Sequence, residues 1–285
     1  MIKKLAILLI FSTLLGGCSG ISKECDKKTI YVTIAPLRAI VEEITGGDYN
    51  VEILVPKGAS PESFEPTAKQ LVDLNEAELV FSVGLINFEQ NLIGSVEHSE
   101  RLVNLSNGIE LLAGSCSHCN HAHTHGIDPH IWTSPRALKR VVENVGSAMM
   151  KIAPDSVKYR DNANKLMCKL DSLDLLCSNK IQANNVKAVM IYHPAFTYYA
   201  KDYGIEQISV EQDGKEPSPR QLTALVERAR RYNISKVLIQ PQYSKDKLRA
   251  LASECGAEIV EVDPLSEDII TEIERLTNVI CCQDE

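Results

Sequence analysis

Twice along this chain, short apolar runs suited to strands alternate with helical patterns, and one uninterrupted helical stretch separates the two sets. Such alternation restricts the fold to the α/β class, with strands gathered into sheets and helices packed on their faces. In the first set, residues 29–35, 50–55, 78–84 and 101–106 read as strands. Leu37, Ile40, Val41 and Ile44 mark one helix face, closed by Gly46-Gly47; Leu71 and Leu74 mark a second, and residues 88–96 a third. A fourth opens at Ser134, whose hydroxyl can cap a helix and whose neighbour Pro135 suits the first helical position, and runs to Ile152. From Pro154 to Ile181 neither Gly nor an internal Pro interrupts the pattern. That stretch, 154–182, predicts a rigid connecting helix about 40 Å long. Residues 187–192, 206–210, 236–240 and 258–262 are the strands of the second set, with helices following from Pro194, Pro219, Lys245 and Ser266. The expected architecture is therefore two lobes, 29–153 and 183–285, each a four-stranded parallel sheet flanked by helices and joined by one long rigid helix.

Residues 1–18 stand apart from this plan. Lys3 and Lys4 precede an apolar run from Leu5 to Leu15, and Gly16-Gly17-Cys18 follows. About eleven apolar residues fall well short of the roughly twenty needed to span a bilayer. The pattern resembles a bacterial lipoprotein signal peptide, in which Cys18 becomes the lipidated N-terminus. The mature chain is then expected outside the cytoplasm, in the periplasm or at the cell surface, folded in water and tethered to the membrane through Cys18. Net charge is -8, and the basic residues form no stripe, which argues against a nucleic-acid partner. Of the nine cysteines, Cys168 and Cys177 fall on one predicted helix, about 13 Å apart along its axis and half a turn around it, so they cannot bond to each other. Cys255 could pair with Cys281 or Cys282, and Cys116 with Cys119 suits either a disulfide or a metal pair.

Five of the seven histidines, His118, His121, His123, His125 and His130, lie within thirteen residues, with Cys116 and Cys119 among them. Imidazole and thiolate bind borderline-soft divalent ions, so the cluster points to Zn²⁺. In open α/β sheets the ligand site lies beyond the carboxyl ends of the strands. Four polar residues satisfy that rule: Glu62, His130, His193 and Asp263, two from each half. Two imidazoles and two carboxylates suit Zn²⁺, with Mn²⁺ as the harder alternative. Glu65 is close enough in sequence to rival Glu62.

At these residues a family resemblance becomes specific. Gly58-Ala59-Ser60-Pro61-Glu62-Ser63-Phe64-Glu65-Pro66, Asp128-Pro129-His130-Ile131-Trp132, Tyr192-His193-Pro194-Ala195-Phe196, Gly214-Lys215-Glu216-Pro217-Ser218 and Asp263-Pro264-Leu265 are similar to motifs of the zinc and manganese substrate-binding proteins of bacterial ABC uptake systems. The similarity runs from about Thr29 to Cys281. It implies one metal held between two α/β lobes and delivered to an ABC permease with its ATPase. By motif, His130, His193 and Asp263 occupy ligand positions. Glu62 departs from the pattern, since zinc members carry histidine there; a carboxylate or a water then completes the set. His193 and the His-rich loop, 116–127, favour zinc, whereas Glu62 leans toward manganese. Cys116, His118, Cys119, His121, His123 and His125 are left as accessory ligands that gather zinc weakly. A small tilt of one lobe, withdrawing His193 and Asp263, is the expected release motion. A zinc hydrolase is the enzyme alternative, but no His-Glu-x-x-His cluster supports it, so the chain is read as a non-enzyme. A surface adhesin would share the same anchor.

Overall fold

The computed structural model describes residues 27–92, 94–114, 126–211 and 215–282. In the first lobe, β1 (Thr29–Val32), β2 (Asn50–Ile53), β3 (Leu79–Ser82) and β4 (Leu102–Asn104) form a parallel sheet in the order 2-1-3-4. Helices α1 (Pro36–Thr45), α2 (Ala68–Glu76) and α3 (Asn87–Leu92) connect them. Every residue of β3 is buried, as expected of an inner parallel strand covered on both faces. The second lobe repeats the topology: β5 (Ala188–Ile191), β6 (Glu206–Ser209), β7 (Lys236–Ile239) and β8 (Glu258–Glu261) are parallel in the order 6-5-7-8. Its helices are α6 (Thr197–Tyr203), α7 (Pro219–Arg231), α8 (Asp246–Cys255) and α9 (Ile269–Cys281), numbered after the two that separate the sheets.

Those two are α4 (Pro135–Ile152) and α5 (Val157–Ala183). The Ser134 hydroxyl accepts from the amides of Arg136 and Ala137, the cap anticipated from Ser134-Pro135. Helix α5 is unbroken but begins at Val157, because Ala153–Ser156 makes a turn in which Ser156 N donates to Ala153 O at 3.1 Å. Its buried positions, Leu166, Leu170, Leu173, Cys177 and Ile181, recur every three or four residues and form one stripe. The stripe packs on α1 and α4 in the first lobe and on α9 in the second. One continuous core consequently runs from Val32 and Phe81 through Leu166 and Leu170 to Ile191, Leu238 and Ile273. A smaller core of Ile208, Val210, Leu225, Val237 and Leu248 fills the far side of the second sheet.

Some element ends differ from the sequence expectation. The helix anticipated over 88–96 stops at Leu92, where Ser95 N turns back to Leu92 O at 2.9 Å. The helix expected from Pro194 begins at Thr197, and that from Ser266 begins at Ile269, where the Asp268 carboxylate caps Thr271 N. Cys168, Cys177, Cys255, Cys281 and Cys282 are free thiols, so the pairing considered for Cys255 is not formed. No helix among the described residues is long and apolar enough to cross a membrane. Cys18 and the signal-like segment lie outside the described residues.

Candidate metal centre

Glu62 rides on a single 3₁₀ turn, Pro61–Ser63, that follows β2. His130 ends the Asp128-Pro129 turn and leads into a second 3₁₀ turn, Ile131–Thr133. His193 stands two residues beyond β5. The Gln240 side chain, at the carboxyl end of β7, grips the His193 backbone from both sides: its amide donates to His193 O at 2.7 Å and its oxygen faces His193 N at 3.3 Å. Glu62, His130 and His193 converge, each offering a ligand atom within 4.8 Å of the other two. The two imidazole centroids are 5.4 Å apart.

Each imidazole is tied from behind by a buried carboxylate. His130 Nδ1 lies 2.9 Å from Asp128 Oδ1, which also accepts the His130 amide at 2.8 Å. His193 Nδ1 lies 2.5 Å from Glu211 Oε1. Asp128 and Glu211 are only 3% and 5% exposed, so water does not compete for these bonds. With both Nδ1 atoms engaged, both Nε2 atoms are left for the cleft, which is the carboxylate–histidine–metal arrangement. His193 Nε2 instead meets Glu62 Oε1 at 3.0 Å. Burial would lower the His193 pKa, but the hydrogen bonds from Glu211 and then Glu62 outweigh it and raise it to about 9. The same contact with His193 holds the Glu62 carboxyl below its ordinary value, against the opposing effect of burial. Burial also opposes ionisation of Asp128, and the charge and hydrogen bonds of His130 override it. The His193 Nε2 proton is thus favoured against the Glu62 carboxylate. The cleft around this contact has apolar walls of Ile86, Trp132 and Leu265, and Tyr243 stacks on His193 at 6.0 Å.

Asp263 departs from the expected quartet and stands outside this group. Its carboxylate accepts Leu265 N at 3.0 Å, its own amide donates to Glu272 at 2.8 Å, and the next carbonyl, Pro264 O, takes the Trp132 indole N–H at 2.7 Å. Thus anchored, Asp263 faces a separate cavity shared with Lys57, Glu267 and Asp268, and burial raises its pKa. Glu65 is exposed, lines a groove on the outer side of the Glu62 turn, and does not join the group. Cys116, His118, Cys119, His121, His123 and His125 lie outside the described residues. The chain on either side of them is paired by an Ala113–Ile127 bridge and a Gly114 N to Gly126 O bond of 2.8 Å. Asp128 and Glu211 were missed as functional residues. Glu211 follows β6 by two residues, so the strand-end rule that selected His193 could have found it.

The family described as zinc-uptake complex component A, periplasmic, matches residues 30–275. The chain belongs to this family. Among family relatives, the high-affinity zinc uptake system protein ZnuA of Bacillus subtilis is 28% identical over 246 residues, covering 81% of this chain and 76% of that protein. A crystal structure of ZnuA superposes with a TM-score of 0.81 at 30% identity, covering 90% of this chain and 98% of the other. A zinc-bound ZnuA deletion mutant gives the same TM-score and identity, over 91% of this chain and all of that one. The paired four-stranded lobes are thus the family fold, and the chain is a metal-binding component of a transport system.

Proposed function

We propose that this chain captures Zn²⁺ in the cleft between its lobes, through Glu62 and the Nε2 atoms of His130 and His193, and delivers it to an ABC permease driven by an ATPase. The observation that carries this reading is the pair of buried carboxylates, Asp128 and Glu211, each fixing an imidazole with its Nε2 toward the cleft. Two imidazoles and one carboxylate leave a fourth tetrahedral position for water or for a reoriented Asp263. Delivery to a transporter, a lipid anchor at Cys18 and a place outside the cytoplasm extend the family assignment and the signal-like N-terminus to this chain. Mn²⁺ is the second reading, favoured by the carboxylate of Glu62, which hardens the site relative to three imidazoles. The structure of the Pseudomonas aeruginosa protein FpvC in complex with Mn²⁺, at 21% identity, shares the fold.

Competitive loading tests the choice. The metal-free protein, dialysed against equal free Zn²⁺ and Mn²⁺, is expected to retain one equivalent of zinc by elemental analysis. His193→Ala should lower zinc affinity by about a hundredfold or more, as loss of one of three protein ligands. Retention of manganese in preference to zinc would favour the second reading, and retention of neither would defeat both.

A further inference from the structure

Resting on the metal-capture reading, we propose that the cleft parts between Glu62 and the two imidazoles, so that Glu62 leaves the ion while His130 and His193 stay together. By sequence His130 belongs with Glu62 in the first half of the chain. By its bonds it belongs with His193. Four consecutive attachments fasten its segment to the second lobe. Tyr198 of α6 donates its hydroxyl hydrogen to Asp128 O at 2.9 Å. The Trp132 indole N–H reaches Pro264 O, after β8, at 2.7 Å. The Thr133 hydroxyl lies 2.9 Å from Ala195 O, after β5, and 2.8 Å from His130 O. Ser134 bonds the Asp202 carboxylate of α6.

These groups are buried: Trp132 and Tyr198 are 1% and 4% exposed, and Thr133 and Ser134 fully enclosed. Breaking such bonds without water to replace them leaves unsatisfied polar atoms, which strongly opposes separation along this plane.

The Glu62 side is built differently. The backbone bonds within residues 56–63 are local, Ala59 N to Pro56 O at 3.0 Å and Ser63 N to Ser60 O at 3.3 Å. Among the described residues, the one hydrogen bond from this loop to the second lobe is that of Glu62 to His193, the bond a metal would replace. Space is open on both sides. A cavity borders residues 55–59 and Pro61, and a groove borders residues 62–66. Gly58 has φ +84°, and nothing lies within 4 Å of where a Cβ would stand, a backbone position suited to a pivot. At the far end Phe64 packs edge-on against Phe88 at 5.2 Å, which keeps the movement local to the turn. The parting surface therefore leaves one carboxylate on one side and an intact histidine pair on the other. This replaces the expected tilt that withdraws His193 and Asp263.

Amide hydrogen exchange on the full chain, with and without Zn²⁺, tests the proposal. Zinc is expected to slow exchange about tenfold or more over residues 57–66, and less than about twofold over 128–134, where the segment is already held. Trp132→Phe keeps an aromatic ring but deletes the indole N–H, so zinc-dependent slowing should spread into 128–134 and zinc should leave for a competing chelator about tenfold faster. Should that variant fail to fold, Tyr198→Phe, which removes only a hydroxyl, carries the same expectation. Equal zinc-dependent slowing of both segments in the unmodified protein, or slowing confined to 128–134, would overturn the proposal. So would zinc retention with no change in either segment. The zinc content of the same samples distinguishes the failures: without bound zinc the capture reading itself falls and takes the proposal with it.

Discussion

His193 is a cation held between two carboxylates in the metal-free protein, with Glu211 at Nδ1 and Glu62 at Nε2. Its folded pKa of about 9 lies above the ordinary 6.5, so this ion-pair stabilisation is fully present below pH 6.5 and is lost as pH rises through about 9. Metal binding runs the opposite way, because the ion must displace the Nε2 proton. Apparent zinc affinity should climb by up to about tenfold per pH unit and level off near pH 9. Calorimetry in buffers of different ionisation enthalpy should record about one proton released per zinc at pH 7. Glu211→Gln removes the buried anion, so proton release should fall. Measured at pH 9, where proton competition has ended, the variant should bind zinc about ten- to hundredfold more weakly, because the imidazole has lost its orienting partner. Unchanged proton release in Glu211→Gln would show that this carboxylate does not set the His193 charge. The convergence of Glu62, His130 and His193 was legible only in part from strand order, since of the three His193 alone stands at a strand end, Glu62 lies on a turn past β2 and His130 lies far beyond β4. Asp263 met the same strand-end rule, yet its carboxylate turns back onto Leu265 N within its own turn and its amide is held by Glu272 of α9. Asp128 was visible only as a turn residue; its bond to His130 needs the folded geometry of that turn.

At the scale of elements, Glu89 ties α3 to the loop after β3 and to Thr33 beyond β1. One turn of α3 buries its carboxylate at 2% exposure, where it accepts the amides of Val83, Gly84, Leu85 and Ile86 and the hydroxyl of Thr33. Burial raises its pKa while the Thr33 hydroxyl and the amides of Ile86, Val83 and Gly84 oppose the shift. The loop it holds carries Ile86 into the metal cleft and includes Gly84 at φ +76°, where a Cβ would meet the Asn104 side chain at 2.5 Å. Glu89→Ala would strand several buried amides and is expected to destabilise the protein by about 3 kcal/mol or more in urea unfolding. A loss below about 1 kcal/mol would mean that water reaches the loop and replaces the carboxylate. Helix starts such as the Ser134-Pro135 cap and the one at Pro219 were readable from sequence. The early stop of α3 was not. The apolar residues beyond it, such as Val96, are buried by a turn rather than by a helical face.

Across the whole molecule, two sheets of identical strand order are joined by an apolar core that passes through α5 without a gap. The twofold alternation made that repeated topology readable, because each strand and helix is specified by its own residues. The sharing of one core was not readable, since the stripe of Leu166, Leu170 and Leu173 states only that a face is buried, not which elements cover it. A wide hinge opening would expose this shared core to water, whereas displacing a loop bordered by cavities would not. The packing therefore sets the scale of the motion: the lobes hold their relation while the ligand loop moves. Trp132, the one tryptophan of the chain, sits at the centre of that relation, fully buried with its ring 5.1 Å from His130. Zinc on the neighbouring imidazole should change its emission saturably with one equivalent of metal, and His130→Ala should abolish the change. A response that persists in His130→Ala would trace the signal to some other site. The indole thus makes the purified native chain its own optical readout, able to follow occupancy without a dye or an engineered label.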